Sequence, residues 1–204
     1  MDVIENLYAA FADVPKPTAI EGCPVGCCIS REYRLSLVEG SLRDTDSELL
    51  SEYINYGIWT IGNASDFRYF IPKIFELTLN NYDFIHYPPS IMNKLASVGF
   101  TDWDVVKKST IEAAIYEIVS VEIKTKTIDF DGWIYGVCLL GIDPQRFIDL
   151  LNHDYAVSSR EDFIYYHYPD SWKGMRMEGP EWDNLPAEKT QPVHNWLVSQ
   201  PAPY

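Results

Sequence analysis

The residues best suited to chemistry are three cysteines in one short segment. Cys23, Cys27 and Cys28 lie within the stretch Cys-Pro-Val-Gly-Cys-Cys, and the fourth cysteine, Cys138, is far away in the sequence. Three thiolates would hold a zinc ion if a histidine or Cys138 folded beside them as the fourth ligand. The spacing is not the two-residue gap of a zinc knuckle, however, and no second cysteine pair exists. We therefore expect these thiols to be structural and the chain to bind no cofactor.

Histidines and aspartates give a second set of candidate ligands. The histidines are His86, His153, His167 and His194, and none forms an HxH, HxxxH or HExxH motif, so we expect surface or interface positions. Asp129 and Asp131 lie two residues apart, and two such carboxylates would suit a metal ion. The segment lacks the glycine and the later glutamate of a calcium loop. It is therefore expected to be an acidic loop with a helix cap.

The chain has 204 residues, of which 30 are acidic and 16 basic, giving a net charge of −14. This acidity argues against nucleic acid and anionic membranes as partners, because both require clustered lysine and arginine. No phosphate-binding glycine loop, G-x-S-x-G elbow or kinase motif is present, so we expect no enzymatic activity. No apolar run reaches the roughly 18 residues of a membrane span. Asp2 and Glu5 stand where a secretory signal would be basic, so a cytoplasmic location is expected.

Acidic and aromatic residues coincide after residue 128. Trp59, Trp103 and Trp133 occupy positions expected to face a helical core, whereas the run from Tyr165 to Tyr168, with Trp172 and Trp182 downstream, is harder to bury completely. Exposed aromatic rings beside carboxylates are typical of a protein-binding surface. The residues expected to contact a partner are Asp129, Asp131, Tyr165, Tyr168, Glu178, Glu181 and Asp183.

Helical periodicity runs through nearly the whole chain and predicts the elements that must position these residues. The apolar residues between Val105 and Val119 form a broad helical stripe, although the following residues through Ile128 are rich in β-branched side chains and would also suit a strand. No second strand with a suitable turn follows, so helix is preferred. The sequence predicts an all-α fold of eight or nine helices in antiparallel pairs, arranged as an irregular helical repeat or a globular bundle. We expect one domain over residues 1–204, with a frayed tail at 199–204.

Several motifs resemble those of a group of uncharacterised bacterial all-helical proteins. They are the loop Gly22-Cys23-Pro24 with Cys27-Cys28, the step Thr60-Ile61-Gly62, the helix Asp66-Phe67-Arg68-Tyr69-Phe70-Ile71-Pro72-Lys73-Ile74-Phe75-Glu76-Leu77, and the segment Phe100-Thr101-Asp102-Trp103. Lys73 stands where that group usually has arginine. The resemblance spans residues 1–120 and implies a cytosolic helical protein of irregular repeat packing, without an established activity.

Charge and composition lead to a functional hypothesis. Toxins that cut nucleic acid have basic clefts, and an acidic partner rich in tyrosine and tryptophan would fill such a cleft, with opposite potentials accelerating the encounter. We therefore expect an immunity protein that neutralises a bacterial toxin. The alternative is a metal-dependent enzyme or metal-binding protein that uses the cysteine loop, and a helical scaffold for an unrelated partner is a third hypothesis.

Overall fold

The computed structural model describes residues 2–23, 29–81, 84–85, 87–125, 129–167 and 181–201. These residues form ten α-helices: α1 (Val3–Ala10), α2 (Arg31–Ser36), α3 (Ser47–Tyr56), α4 (Ala64–Asn80), α5 (Pro88–Ser97), α6 (Val105–Glu122), α7 (Phe130–Leu140), α8 (Gln145–Leu151), α9 (Val157–His167) and α10 (Ala187–Val198). Among the described residues the only β-type pairing is an isolated bridge between Gly57 and Ile61. The all-α prediction is confirmed.

The ten helices exceed the predicted eight or nine because of α2, a short helix that the periodicity did not indicate. It begins where the Ser30 hydroxyl accepts a hydrogen bond from the Tyr33 amide. A serine cap of this kind satisfies one of the free amides at a helix start. The segment predicted as helix or strand is helical through Glu122, the end of α6.

The chain divides into two compact units. Unit 1 comprises Met1–His86 and Lys94–Ala114, and unit 2 comprises Tyr87–Asn93 and Ile115–Tyr204. That the whole chain forms one domain stays a prediction.

In unit 1, α4 packs against α1 and against a short 3-10 turn at Leu42–Asp44. The first amides of α4 are capped by the Asn63 side chain, while the Asp66 carboxylate accepts from the Asn63 amide, so each satisfies the other. The helix continues through Pro72, although a proline inside a helix removes one backbone hydrogen bond. Its inner face carries buried aromatic rings, including those of Phe67, Phe70 and Phe75.

In unit 2, α7 packs against α9 and α10, and α8 packs against the same two helices. The shared core contains Trp133, Phe147, Phe163 and Leu197, each at most 3% exposed. Apart from Asp131, Leu139 and the glycine C-cap, α7 is buried almost throughout, which explains its unbroken apolar sequence. α7 therefore holds the polar residues at its N-terminal end against the core of unit 2.

Within the described ranges, no helix combines the length and the apolar composition needed to cross a membrane.

Candidate functional site

A cavity of about 370 Å³ opens on unit 2, and four carboxylates line it: Asp129, Asp131, Asp162 and Glu181. The remaining lining residues are aromatic or small: Tyr87, Pro89, Phe130, Gly132, Tyr135, Ser159, Phe163 and Tyr166. We refer to this cavity as the acidic groove. None of the described residues that line it is a lysine or an arginine, so its wall presents negative charge on an aromatic surface.

The first turn of α7 places two of these carboxylates. Asp129 is the N-cap, and its Oδ1 accepts a hydrogen bond of 2.9 Å from the Gly132 amide. Asp131 follows in the first turn, where the helix dipole favours negative charge. Gly132 allows close packing at this point, because a Cβ there would lie 2.8 Å from Cδ of Pro89. The sequence Asp-Phe-Asp-Gly thus forms the end wall of the groove and caps α7 at the same time.

One face of α9 forms the side wall. Ser159, Asp162, Phe163 and Tyr166 follow the i, i+3, i+4, i+7 spacing that brings residues to one face of a helix, and all four line the cavity. Ser159 is 7% exposed, whereas Tyr166 is 58% exposed. The α9 face therefore presents both a buried serine and an accessible aromatic ring to the groove.

Asp131 is held in place by hydrogen bonds to a buried aromatic cluster. Its Oδ1 accepts a hydrogen bond of 2.9 Å from Nε1 of Trp182 and lies 2.7 Å from Nε2 of His167. The rings of His167 and Trp182 meet edge to face at 5.9 Å, and Phe163 packs against His167 at 4.7 Å. Because His167 is fully buried, its imidazole positions Asp131 and is inaccessible to a molecule in solution.

The electrostatics of the groove reflect negative charges that lack a cationic neighbour on its wall. Burial raises the pKa of the Asp129 carboxyl, and the charges of Asp131 and Glu181 raise this pKa further, against the opposing hydrogen bond from Gly132. The Tyr87 hydroxyl donates to Glu181, and this hydrogen bond is the largest of the effects that raise the pKa of Tyr87 to about 12. A bound cation would stabilise these carboxylates in their charged form.

The structure brings together three of the residues predicted to contact a partner. Asp129, Asp131 and Glu181 all line the acidic groove, and Asp129 also caps a helix as expected. Tyr165 is 76% exposed on α9 but does not line the cavity, and Asp183 is exposed in the 3-10 turn Trp182–Asn184. Tyr168 and Glu178 lie outside the described residues.

Sequence analysis missed further groove residues. Asp162 and Ser159 were detectable, because they share the helical face of Phe163 and Tyr166 in the printed sequence. Tyr87 could not be detected from the sequence, since its partner Glu181 is 94 residues away and no local pattern indicates that pairing. His167 was expected at a surface or interface and is instead fully buried, because aromatic rings surround it.

The tryptophans and cysteines differ in how far they are buried. Trp133 is in the core as predicted, whereas Trp59 is 61% exposed, and the core prediction for Trp59 is wrong. Cys23 is half-buried, and Cys27 and Cys28 lie outside the described residues. Across the described ranges, no three histidine, cysteine or acidic side chains are arranged to hold a metal ion. Metal binding by the loop stays a prediction.

Comparisons with family models, with curated proteins and with solved structures give no match to this chain. The similarity to a group of bacterial helical proteins stays a prediction. Any functional proposal therefore rests on the geometry and charge of the groove itself.

Proposed function

We propose that this chain is an acidic protein-binding module, and specifically an immunity protein that neutralises a basic, nuclease-type bacterial toxin by direct binding. The observation that supports the proposal is the acidic groove, where four carboxylates and five aromatic side chains line one cavity. A toxin that binds nucleic acid needs a positive cleft, and this groove offers a complementary surface. The net charge of −14 would accelerate the encounter of the two proteins.

Exposed rings next to the groove provide a second part of the argument. Tyr87 is 51% exposed, Tyr166 58% and Tyr165 76%, so three tyrosines present accessible faces in the same unit. Tyrosine is enriched among the residues that dominate binding energy at protein interfaces. In this proposal the carboxylates give orientation and association rate, and the tyrosines give a slow dissociation rate.

The test uses the product of the gene next to the one encoding this chain, because immunity genes commonly follow their toxin genes. We expect the neighbouring protein to degrade nucleic acid, and an equimolar amount of this chain to stop the degradation and to protect cells that express the toxin. Association should slow as salt is raised, since screening shortens the range of the attraction. A neighbouring product that is harmless, or a toxin that stays active at excess inhibitor, would contradict the proposal.

A matched pair of variants examines the role of the groove. Asp129→Asn with Glu181→Gln removes two groove charges, and Glu39→Gln with Glu52→Gln removes two exposed charges from unit 1. We expect the groove variant to weaken toxin binding by roughly tenfold and the control to change it much less, because a charge within an interface contributes more than one exposed elsewhere. Equal effects of the two variants would indicate general charge attraction without a specific site.

A further inference from the structure

We propose that the acidic groove is a receptor for an arginine side chain contributed by the protein partner. The inference rests on the proposed function for the identity of the partner as a protein, and it adds which chemical group enters the cavity. Three features of the groove support it: unused acceptor atoms, aromatic walls, and a buried hydroxyl without a hydrogen-bond partner.

The first feature is the set of acceptor atoms that the described part of the chain leaves available. Asp131 uses Oδ1 for both Trp182 and His167, and no described residue donates to its Oδ2. Glu181 accepts from Tyr87 through Oε1, which leaves Oε2. Asp162 is exposed and accepts no hydrogen bond from a described residue. A guanidinium carries five N–H donors in a planar fork and is suited to several carboxylate oxygens at once.

The second feature is the aromatic lining. Tyr87, Phe130, Tyr135, Phe163 and Tyr166 all line the same cavity as the carboxylates. A planar cation stacks on such rings and is attracted by their electron-rich faces. Guanidinium is more weakly hydrated than an ammonium group and stacks better, so the lining favours arginine over lysine.

The third feature is independent of the acidic residues. Ser159 lines the cavity and is only 7% exposed, yet no hydrogen bond joins its hydroxyl to any other residue that the structure describes. Among the described residues, the polar side-chain atoms that have neither a hydrogen-bond partner nor access to solvent belong to Arg34, Tyr53 and Arg68. The Ser159 oxygen is not among them, so it remains accessible from the cavity. A buried hydroxyl normally has a partner. A donor group of a ligand at the bottom of the groove would supply it.

The exposed rings of the groove favour a side chain of a protein over a free small molecule. A volume of about 370 Å³ is within the range of ligand sites. The exposed rings of Tyr87 and Tyr166 continue the surface outward from the cavity and would contact the residues that flank an inserted arginine. Free arginine would use the cavity but not this rim.

The test titrates the full chain with three probes of similar length and different chemistry, observed by amide NMR. N-acetyl-arginine amide should shift the amides of Gly132 and of residues 159–166. N-acetyl-lysine amide should bind several-fold more weakly, and the neutral N-acetyl-citrulline amide should not bind. A peptide with arginine between two leucines should bind more tightly than the single residue, because it also covers the rim. Equal binding of the arginine and lysine probes would overturn the inference. Amide chemical-shift changes that are not largest at the groove residues would also overturn it.

Variants of two groove residues complete the test. Asp162→Asn and Ser159→Ala should each weaken the arginine probe by roughly threefold to tenfold, since each removes an acceptor. Asp183→Asn is the matched control, because Asp183 is an exposed aspartate of unit 2 that does not line the cavity, and it should leave binding unchanged. An unchanged thermal unfolding midpoint would exclude misfolding as the cause of a loss.

The two proposals fail in distinguishable ways. If the arginine probe binds the groove but the neighbouring toxin is not inhibited, the proposed function is wrong and the guanidinium site stands. Suppose instead that the toxin is inhibited, but that Asp162→Asn and Ser159→Ala weaken toxin binding no more than Asp183→Asn does. The guanidinium site is then wrong and the proposed function stands.

Discussion

Units 1 and 2 have the same net charge, but a cluster around Lys73 in unit 1 and the acidic groove of unit 2 compensate their charges differently. Unit 1 contains sixteen acidic and nine basic residues and unit 2 contains fourteen and seven, so each has a net charge of −7. In unit 1 the charged side chains described below contact opposite charges. In unit 2 the four carboxylates of the acidic groove line a wall without a lysine or arginine among the described residues. Net charge alone therefore does not distinguish these two regions, whereas the local compensation of charge does.

The clearest example in unit 1 is a cluster around Lys73, formed by Glu5, Tyr8, Arg43, Lys73 and Glu76. Nζ of Lys73 donates to the Arg43 carbonyl at 2.7 Å and lies 3.4 Å from Oε1 of Glu76. Tyr8 donates its hydroxyl to Glu76, and the Arg43 guanidinium packs 3.9 Å from the centre of the Tyr8 ring and pairs with Glu5 at 2.8 Å. Each charge in this cluster is neutralised by the protein itself.

In the acidic groove the hydrogen-bond donors are neutral groups or a histidine. Asp129 accepts from a backbone amide, Glu181 from the Tyr87 hydroxyl, and Asp131 from the Trp182 indole and from His167. The amide, hydroxyl and indole donors orient a carboxylate without cancelling its charge. In the proposed function the polar residues of the groove serve binding, whereas those of the Lys73 cluster stabilise unit 1.

The substitution Lys73→Met tests this comparison and has the largest expected effect on stability. Lys73 is 7% exposed, and its loss removes the positive charge beside Glu76 and the donor to the Arg43 carbonyl inside unit 1. Removing one partner of a buried charge pair is costly, so we expect the free energy of unfolding to fall by about 3 kcal/mol. Urea unfolding measures this change in the free energy of unfolding. Asp162→Asn in the groove is the control and should change stability by less than about 0.5 kcal/mol. Similar losses in the two variants would refute the distinction.

Sequence analysis located part of the groove for identifiable physical reasons. Helix type and the Asp129 cap follow from local rules, because capping and periodicity act over only a few residues. The pairing of Tyr87 with Glu181 and the burial of His167 depend on tertiary contacts between distant segments, which local patterns do not encode. Trp59 shows the same limit, since a tryptophan that appears suitable for a core lies at the surface, where Lys94 packs 5.6 Å from its ring.

A smaller effect compares two hydroxyls without hydrogen-bond partners among the described residues. The Tyr53 hydroxyl is sealed inside unit 1, and burial is the largest cause of its raised pKa. Tyr53→Phe should therefore stabilise the protein by about 1 kcal/mol, since an unsatisfied buried group is removed. Ser159→Ala removes a hydroxyl that reaches the groove and should change stability by less than about 0.5 kcal/mol. Thermal and urea unfolding measure both changes.

Tyr33→Phe is the matched control for Tyr53→Phe. The Tyr33 hydroxyl donates to the Leu49 carbonyl, so its removal should destabilise the protein by about 1 kcal/mol. Opposite signs for the two tyrosine variants would support the assignment of partners. A loss of stability in Tyr53→Phe comparable to that in Tyr33→Phe would show that the Tyr53 hydroxyl is bonded after all.

The smallest expected effect measures the cost of uncompensated charge in the groove. Because the folded pKa of Asp129 is raised, the folded state holds this proton more tightly than the unfolded state does. The resulting stabilisation is fully present below the ordinary carboxyl pKa and is lost as pH rises through the raised value. Asp129→Asn keeps an N-cap side chain and removes the charge, so at neutral pH it should be slightly more stable than the wild type.

The pH dependence distinguishes charge from capping. The advantage of Asp129→Asn should disappear near pH 3, where Asp129 is itself protonated, while Asp129→Ala should lose about 1 kcal/mol at neutral pH because it removes the cap. Urea unfolding at both pH values provides the comparison. Adding N-acetyl-arginine amide at neutral pH should stabilise the wild type more than Asp129→Asn, since the ligand compensates a charge that the variant lacks. A wild type that is more stable than Asp129→Asn at neutral pH without ligand would mean that the groove already neutralises its own carboxylates, as the Lys73 cluster does.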